Sequence, residues 1–165
     1  MKRSSRRLAG LLLGGALAVL GRDAAAQSHV LQVLDASVTL TPTAADYASD
    51  HVDLTGGSGL RIRIKSGSTT GSIVFVKCAD AAPRIALPDL LVKTRTAPGA
   101  GGASLTSFTA VTAFDQPLWS TRAAQNSFLQ IVVDIRVQNL FAYPDAILPG
   151  TTGYTDNLTF TIVAQ

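Results

Sequence analysis

The chain has little of the material from which catalytic and metal sites are built. Its 165 residues contain one cysteine, Cys78, two histidines and no glutamate, since all 11 acidic residues are aspartate. A zinc site needs three or four nitrogen or sulfur donors, and a Ser-His-Asp triad would have to use His29 or His51. We therefore expect no catalytic residue, no cofactor and no metal site. A lone cysteine also excludes an internal disulfide, and its place after the apolar run 73–76 predicts a buried thiol.

The absence of glutamate disfavours helices, because aspartate prefers turns and caps. Asp46, Asp50 and Asp53 are spaced like alternate oxygen ligands of calcium. However, the stretch lacks the loop glycine and the closing glutamate of a calcium hand, and aspartate is common in turns for its own hydrogen bonds. We expect a solvated loop there rather than an ion site.

Residues 1–26 have the three parts of a secretory signal peptide. A basic start precedes an apolar run over residues 8–20, and Ala24–Ala26 supply a small-residue cleavage site before Gln27. The apolar run is shorter than the roughly 20 residues that span a bilayer, so we expect cleavage rather than a retained anchor. Arg6 and Arg7 form a twin arginine without the usual Tat context, and the choice between Sec and Tat export stays open.

Removal of the signal peptide changes the charge balance of the chain. Five of the 14 basic residues and one of the 11 acidic residues precede Gln27, so the mature chain has nine bases against ten acids, a net charge of −1. Nucleic-acid-binding domains carry clustered Lys and Arg. Here the only local cluster is Arg61, Arg63 and Lys65, which alternates with apolar residues and predicts one solvated strand face. We expect an exported protein, in the periplasm, at the cell surface or outside the cell, with no nucleic-acid partner.

Apolar residues recur with period two along the mature chain, which is typical of strands with one buried face. The stretch 128–138 is the clearest case, with Leu129, Ile131, Val133, Ile135 and Val137 on one face. The stretches 60–65 and 73–78 are separated by a glycine-rich turn and predict a β-hairpin. About seven strands are expected in all, over residues 30–41, 60–65, 73–78, 90–95, 108–114, 128–138 and 157–163. Residues 27–165 are thus predicted to form one antiparallel, immunoglobulin-like β-sandwich.

The C-terminal stretch contains a distinctive combination of a Pro-Gly turn, a Tyr-x-Asp motif and an alternating last strand. Its residues are Pro149, Gly150, Tyr154, Asp156, Leu158, Phe160 and Ile162. This ending resembles that of bacterial pilus (fimbrial) subunits and of the spore coat protein U group. The resemblance implies a secreted immunoglobulin-like domain that polymerises or coats a surface, usually with a periplasmic chaperone and an outer-membrane usher. Many members have a paired cysteine near the N-terminal strands, which this chain lacks.

Subunits of this kind have a sandwich with one strand missing, and an extended segment of a neighbour fills the groove by β-strand addition. The segment 30–41 follows the predicted new N-terminus and could be such a donor. Its expected groove-filling side chains lie at even positions: Val30, Leu34, Ala36, Val38 and Leu40. The alternative is that the segment is the first strand of its own domain, although 12 residues are long for one strand.

Three classes of function follow. The first is a structural subunit of a surface fibre or coat, present as a homo-oligomer or fibre. The second is a secreted module that binds carbohydrate or a surface protein, for which Trp119 is the candidate ligand contact, with Phe141 and Tyr143 as the other aromatics outside predicted strands. The third, a secreted hydrolase, is disfavoured by the scarcity of histidine and glutamate, and loss of a hydrolytic activity in His51→Ala would support it.

Overall fold

A computed structural model describes residues 28–143 and 154–165. The predicted signal peptide and the Pro149-Gly150 turn lie outside these residues. The described chain is an all-β sandwich of two antiparallel sheets, as predicted, and none of its helices is long and apolar enough to cross a membrane. Its strands are β1 (His29–Val33), β2 (His51–Leu54), β3 (Leu60–Ser66), β4 (Ser72–Cys78), β5 (Leu90–Thr94), β6 (Thr109–Ala110), β7 (Gln116–Thr121), β8 (Gln125–Gln138) and β9 (Leu158–Ala164).

Sheet A is organised around β8, which is 14 residues long. On one side, the first part of β8 pairs with β3 and its last four residues pair with β2, while β5 pairs along the other side. β1 extends the sheet beyond β3, and the two-residue β6 extends it beyond β5. One long strand can accept two short partners in line because each ladder occupies only part of its edge.

Sheet B contains β7, β4 and β9 in that order. The free side of β7 is covered by residues 99–105, where the Leu105 N–H donates to the Leu118 carbonyl and the Ser120 N–H donates to the Ala103 carbonyl. β9 forms the opposite end of the sheet in the described part of the chain. Among the described residues, β9 of sheet B and β1 of sheet A therefore each present a strand edge that no described strand covers.

The core lies between the sheets and consists of the inward-facing apolar residues of the alternating strands. Ile131, Val133, Ile135 and Val137 of β8 point inward, and alternating residues of β3 and β4 meet them. Cys78 is also buried, which confirms the expectation for the thiol. The sequence therefore predicted which face of these strands is buried, because side chains alternate strictly along a strand.

Three expectations about the strands are wrong. The predicted hairpin does not form, because β3 belongs to sheet A and β4 to sheet B, and residues 67–71 cross between them. That connection is bonded to residues beside the first and last strands: the Gly67 N–H donates to the Ser28 carbonyl, and the Gln165 N–H donates to the Gly71 carbonyl. The expected strand over 108–114 is reduced to the two residues of β6, and β7 begins soon after it at Gln116. Finally, the described residues contain nine strands rather than about seven.

One short helix was not expected. α1 (Ala44–Ser49) begins at Thr43, whose backbone N–H and hydroxyl both donate to Asp46 Oδ2 at 2.7 Å. It ends at Asp50, which has a left-handed backbone conformation (φ 55°). Six residues contain too few apolar positions to show a helical period, so capping supplies the local signal.

Candidate functional site

A cleft of about 660 Å³ opens between the two sheets along the β9 side of the sandwich. Its floor consists of core residues of sheet A, including Leu60, Ile135 and Val137, and of Leu140. One wall is the extended segment 33–42, and the other is the stretch from Tyr154 through Leu158 and Phe160. The cleft thus lies where both sheets end, because β1 is the last strand of sheet A and approaches β9 of sheet B.

The apolar side chains around this cleft are less completely buried than the centre of the core. Leu158, Phe160 and Ile162 of β9 are only partly buried, although they point inward as the sequence predicted. By contrast, Ile62 and Ile131 at the centre of the sandwich are fully buried. The described residues therefore leave the core incompletely covered along β9, with room for one further strand.

The structure divides the predicted donor segment into two parts. Val30 lies in β1, antiparallel to β3 and directly opposite Lys65, so it points away from the core, and Leu31 packs against the core instead. Within its own domain Val30 therefore lies on the outward face of β1, and its expected place in a neighbour's groove stays a prediction. Leu34 is 40% exposed and Ala36 is exposed, which leaves both outside the core.

Beyond Ala36 the predicted alternation agrees with the structure. Val38 and Leu40 line the cleft and pack against the core as partly buried residues. The face changes at Asp35, where the chain leaves the sheet. These placements describe the segment within its own domain, and its role as a donor to a neighbour stays a prediction.

Asp35 holds this change of direction in place, a role that the sequence did not indicate. The Arg61 backbone N–H and Nε donate to Asp35 Oδ2 at 2.7 and 3.0 Å, and Arg61 Nη2 donates to Oδ1 at 2.8 Å. These bonds lower the pKa of Asp35 to about 2. A lone aspartate within an otherwise apolar alternation was the available signal, but its partner lies 26 positions further along the chain.

The C-terminal motif borders the same cleft, and Asp156 has a defined structural role in it. Its Oδ1 accepts a hydrogen bond from the Arg84 backbone N–H, and its Oδ2 accepts one from the Ile85 N–H, both at 2.7 Å. The carboxylate therefore attaches the entry of β9 to the loop before β5. Asp80 supports this attachment by accepting a bond from the Asn157 side chain at 2.9 Å, and that bond lowers the pKa of Asp80.

Tyr154 of the motif packs edge-on against Tyr143, with ring centroids 5.0 Å apart. The Tyr143 hydroxyl donates to Asp89 Oδ2 at 2.7 Å and accepts from the Ala86 N–H at 3.0 Å. Burial, followed by the bond to Asp89, raises the pKa of Tyr143 to about 12. Tyr154 of the motif and Tyr143 thus close one end of the cleft with two rings that pack edge to face.

The expected exposure of Trp119 is wrong. Trp119 lies in β7 with only 1% of its surface exposed, and its Nε1 donates to the Ala97 carbonyl at 2.8 Å. The ring therefore helps hold the glycine-rich segment 97–102 against β7 and cannot contact a ligand at the surface. Tyr143 is buried as well, and of the three aromatics considered only Phe141 is exposed.

The three aspartates with calcium-like spacing have separate partners. Asp46 caps α1, Asp50 Oδ1 accepts from the Leu140 N–H at 2.8 Å, and Asp53 forms a two-pronged ion pair with Arg136 at 2.7 and 2.8 Å. The expected loop is instead a helix followed by β2. Within residues 28–143 and 154–165, no group of three potential metal ligands occurs.

The two histidines lie apart from each other. His29 Nδ1 is 2.9 Å from the Ser66 hydroxyl, whereas His51 Nδ1 is 2.8 Å from the backbone carbonyl of Ser49. His51 Nε2 lies 4.0 Å from Asp53. The Ser49 hydroxyl donates to backbone carbonyls of α1 and β2 and makes no bond to the imidazole.

No family model, curated protein or solved structure matches the chain. The fold and the cleft define the class to which the chain can be assigned: a two-sheet antiparallel β-sandwich whose core, in the part that the structure describes, is incompletely covered along β9.

Proposed function

We propose that this chain is an exported structural subunit of a bacterial surface fibre or coat, and that its copies join by β-strand addition at the β9 cleft. The single observation that carries the proposal is the apolar cleft of about 660 Å³ beside the edge of β9 that no described residue pairs with. An uncovered edge offers backbone N–H and C=O groups, and the adjoining apolar floor offers burial for alternate side chains of an added strand.

The proposed donor is the segment that contains Val38 and Leu40. In the isolated chain these residues already lie in the cleft of their own domain. Cleavage before Gln27 would leave only two residues ahead of β1, so no separate extension precedes the segment in the mature chain. Joining of copies would then require exchange, with the segment of one copy taking the corresponding place in the next.

The segment is held in its own domain by contacts with residues distant in the chain: β1 pairs with β3, and Asp35 binds Arg61. Only residues 29–33 pair regularly, with β3, and the stretch beyond Asp35 has no strand partner. The same contacts form again in the neighbour, so the cost is mainly that of opening one terminal strand. A periplasmic chaperone that holds the opened cleft, and an outer-membrane usher, are the partners that this proposal implies.

The test uses a cross-strand disulfide that reports which copy β1 occupies. Val30 and Lys65 are direct antiparallel partners, so their Cα atoms lie at the separation a disulfide accepts. Val30→Cys and Lys65→Cys are introduced together in a Cys78→Ala background, and the exported protein is examined on a non-reducing gel. Exchange predicts a ladder of covalent multimers that collapses to monomer on reduction.

The matched control places Lys77→Cys and Thr159→Cys in the same background. These residues are direct partners of β4 and β9, two strands that exchange of the N-terminal segment would leave within one copy. The control is expected to stay monomeric under the same conditions. A purely monomeric disulfide in the Val30/Lys65 variant would show that β1 stays in its own domain and would refute the proposal.

A further inference from the structure

The outer face of sheet A carries an unusual concentration of positive charge. The outer face of sheet A consists of the side chains of this sheet, and of the residues adjoining it, that point away from the core. Its basic residues come from three strands and the residue after β5: Arg61, Arg63, Lys65, Lys93, Arg95 and Arg136. Only three acids accompany them, Asp35, Asp53 and Asp134. Six bases against three acids leave this face with a charge of +3.

The rest of the described chain has the opposite balance. Three bases, Lys77, Arg84 and Arg122, stand there against six acids: Asp46, Asp50, Asp80, Asp89, Asp115 and Asp156. The near-neutral total of the mature chain therefore conceals a strong separation of charge. Sequence alone showed only the three bases of β3, because the others reach this face through pairing of β5 and β8.

Two of the three acids of this face lie beneath their bases. Asp134 is 1% exposed, and it is covered by Arg95, whose Nε lies 2.9 Å from Oδ1, and by Lys93 at 3.8 Å. Arg95 and Lys93 keep 41% and 27% of their side chains exposed. Asp35 is likewise less exposed than its partner Arg61, whereas Asp53 and Arg136 are about equally exposed. At Asp134 and Asp35 an approaching molecule thus meets guanidinium and ammonium groups before it meets carboxylates.

The bases are also held in fixed positions. Asp53 binds Arg136 through two hydrogen bonds, and Phe108 has Arg136 and Lys93 over its ring at 4.3 and 4.4 Å. Arg63 stacks on Phe128 at 4.6 Å. Cations held by rings and by carboxylates beneath them lose less conformational entropy when they bind an anion. Free donors of these groups can then face outward in a fixed array.

We propose that the outer face of sheet A binds an acidic polysaccharide, a chain whose sugars carry carboxylates. An extended polymer with regularly spaced anions matches a flat sheet face on which bases recur along β3 and across to β5. The face does not suit single-stranded nucleic acid, which needs free aromatic rings for base stacking. Here the two phenylalanines are engaged by cations. This site is independent of strand exchange at the β9 cleft.

Arg63 and Lys65 are the residues to test, because neither forms a salt bridge within the described part of the chain. The probe is polygalacturonate, with the neutral polymer dextran as the blank, and binding to the purified exported protein is measured by calorimetry. Arg63→Gln with Lys65→Gln removes two charges from the face and keeps most of each side-chain stem. We expect about a tenfold rise in the dissociation constant, because two exposed ionic contacts are lost and each contributes about threefold to the affinity.

The matched control is Arg84→Gln with Arg122→Gln, which removes the same two charges from elsewhere in the molecule. It is expected to bind within about twofold of the unaltered protein. If the first double variant does not fold, Lys65→Gln alone is expected to weaken binding about threefold. Binding should also weaken as salt rises from about 50 mM to about 500 mM, because exposed ionic contacts are screened.

Three outcomes would overturn the proposal. One is no binding of polygalacturonate at low salt, and another is equal loss of binding in the two double variants, which would indicate only a net-charge effect. The third is equally tight binding of a single-stranded oligonucleotide, which would assign the face to polyanions in general. Lys65 lies opposite Val30 of β1, and Arg84 lies over Tyr154 at the cleft, so the two proposals are tested on separate proteins. Polysaccharide binding is measured by calorimetry in a chain without added cysteines, and strand exchange is measured on the non-reducing gel, so either test can fail while the other succeeds.

Discussion

Asp156 offers the most direct test of how the C-terminal motif stabilises the sandwich. Asp156→Ala removes both acceptors of the Arg84 and Ile85 backbone N–H groups. Hydrogen bonds to a charged group contribute about 1.5–3 kcal/mol each, and the Arg84 bond is exposed, so its N–H can bind water after the substitution. We therefore expect the free energy of unfolding to fall by about 2–3 kcal/mol.

Thermal unfolding followed by circular dichroism measures this loss. In a domain of this size, each kcal/mol corresponds to about 3–5 °C, so Tm should fall by about 6–15 °C. Asp156→Asn should lose about half as much, because its amide retains one carbonyl acceptor and can satisfy only one of the two N–H groups. The graded series separates loss of hydrogen bonds from a general effect of removing charge.

Asp115→Ala is the matched control for the loss of one aspartate. Asp115 pairs with Lys77 at 3.2 Å, but 47% of its side chain is exposed, and exposed pairs contribute little. Its stability should change by less than about 0.5 kcal/mol. A loss of that small size in Asp156→Ala would refute the assigned role, because the loop before β5 would then be held by other contacts.

Two further predictions concern the segment beside the cleft and the packing of β7. Because the Arg61 bonds lower the pKa of Asp35 to about 2, Asp35→Asn should reduce Tm above pH 4, and the difference should vanish as the pH falls from about 4 through 2. A difference that persists unchanged at pH 2 would contradict this. Gly102→Ala should lower the free energy of unfolding, measured with denaturant, by about 2–3 kcal/mol, because the added Cβ would lie 2.0 Å from the Ser120 carbonyl oxygen. Gly57→Ala is the control and should be nearly neutral, because its Cβ would meet open space.

Much of the fold was predictable because alternation is a local property. The inward residues of β8 and of β9 follow from a period of two, and no knowledge of the partner strands is needed. Short or irregular strands could not be predicted from a period of two. β2 has four residues and β6 has two, too few to show a period, and Pro117 in β7 suggested a turn.

The candidate site was only partly predictable. The C-terminal motif was recognised as a group, but the backbone donors to Asp156 lie more than 70 positions earlier in the chain. The donor segment was read as one continuous alternation, whereas Asp35 turns the chain and shifts the buried face from odd to even positions. The strand that contains Trp119 was not predicted because Pro117 interrupts its pattern, whereas the partners of Asp35 and Asp156 lie far away in the chain.

By itself the sequence determined the β character of the chain, the buried face of its longer strands and the burial of Cys78, since each depends on the order of neighbouring residues. The export signal stays a prediction of that same kind. Only the tertiary structure decided which strands share a sheet, where the core is left open along β9, and how bases from three strands meet on the outer face of sheet A. Strand pairing joins residues far apart in the chain, and no local pattern encodes the partner.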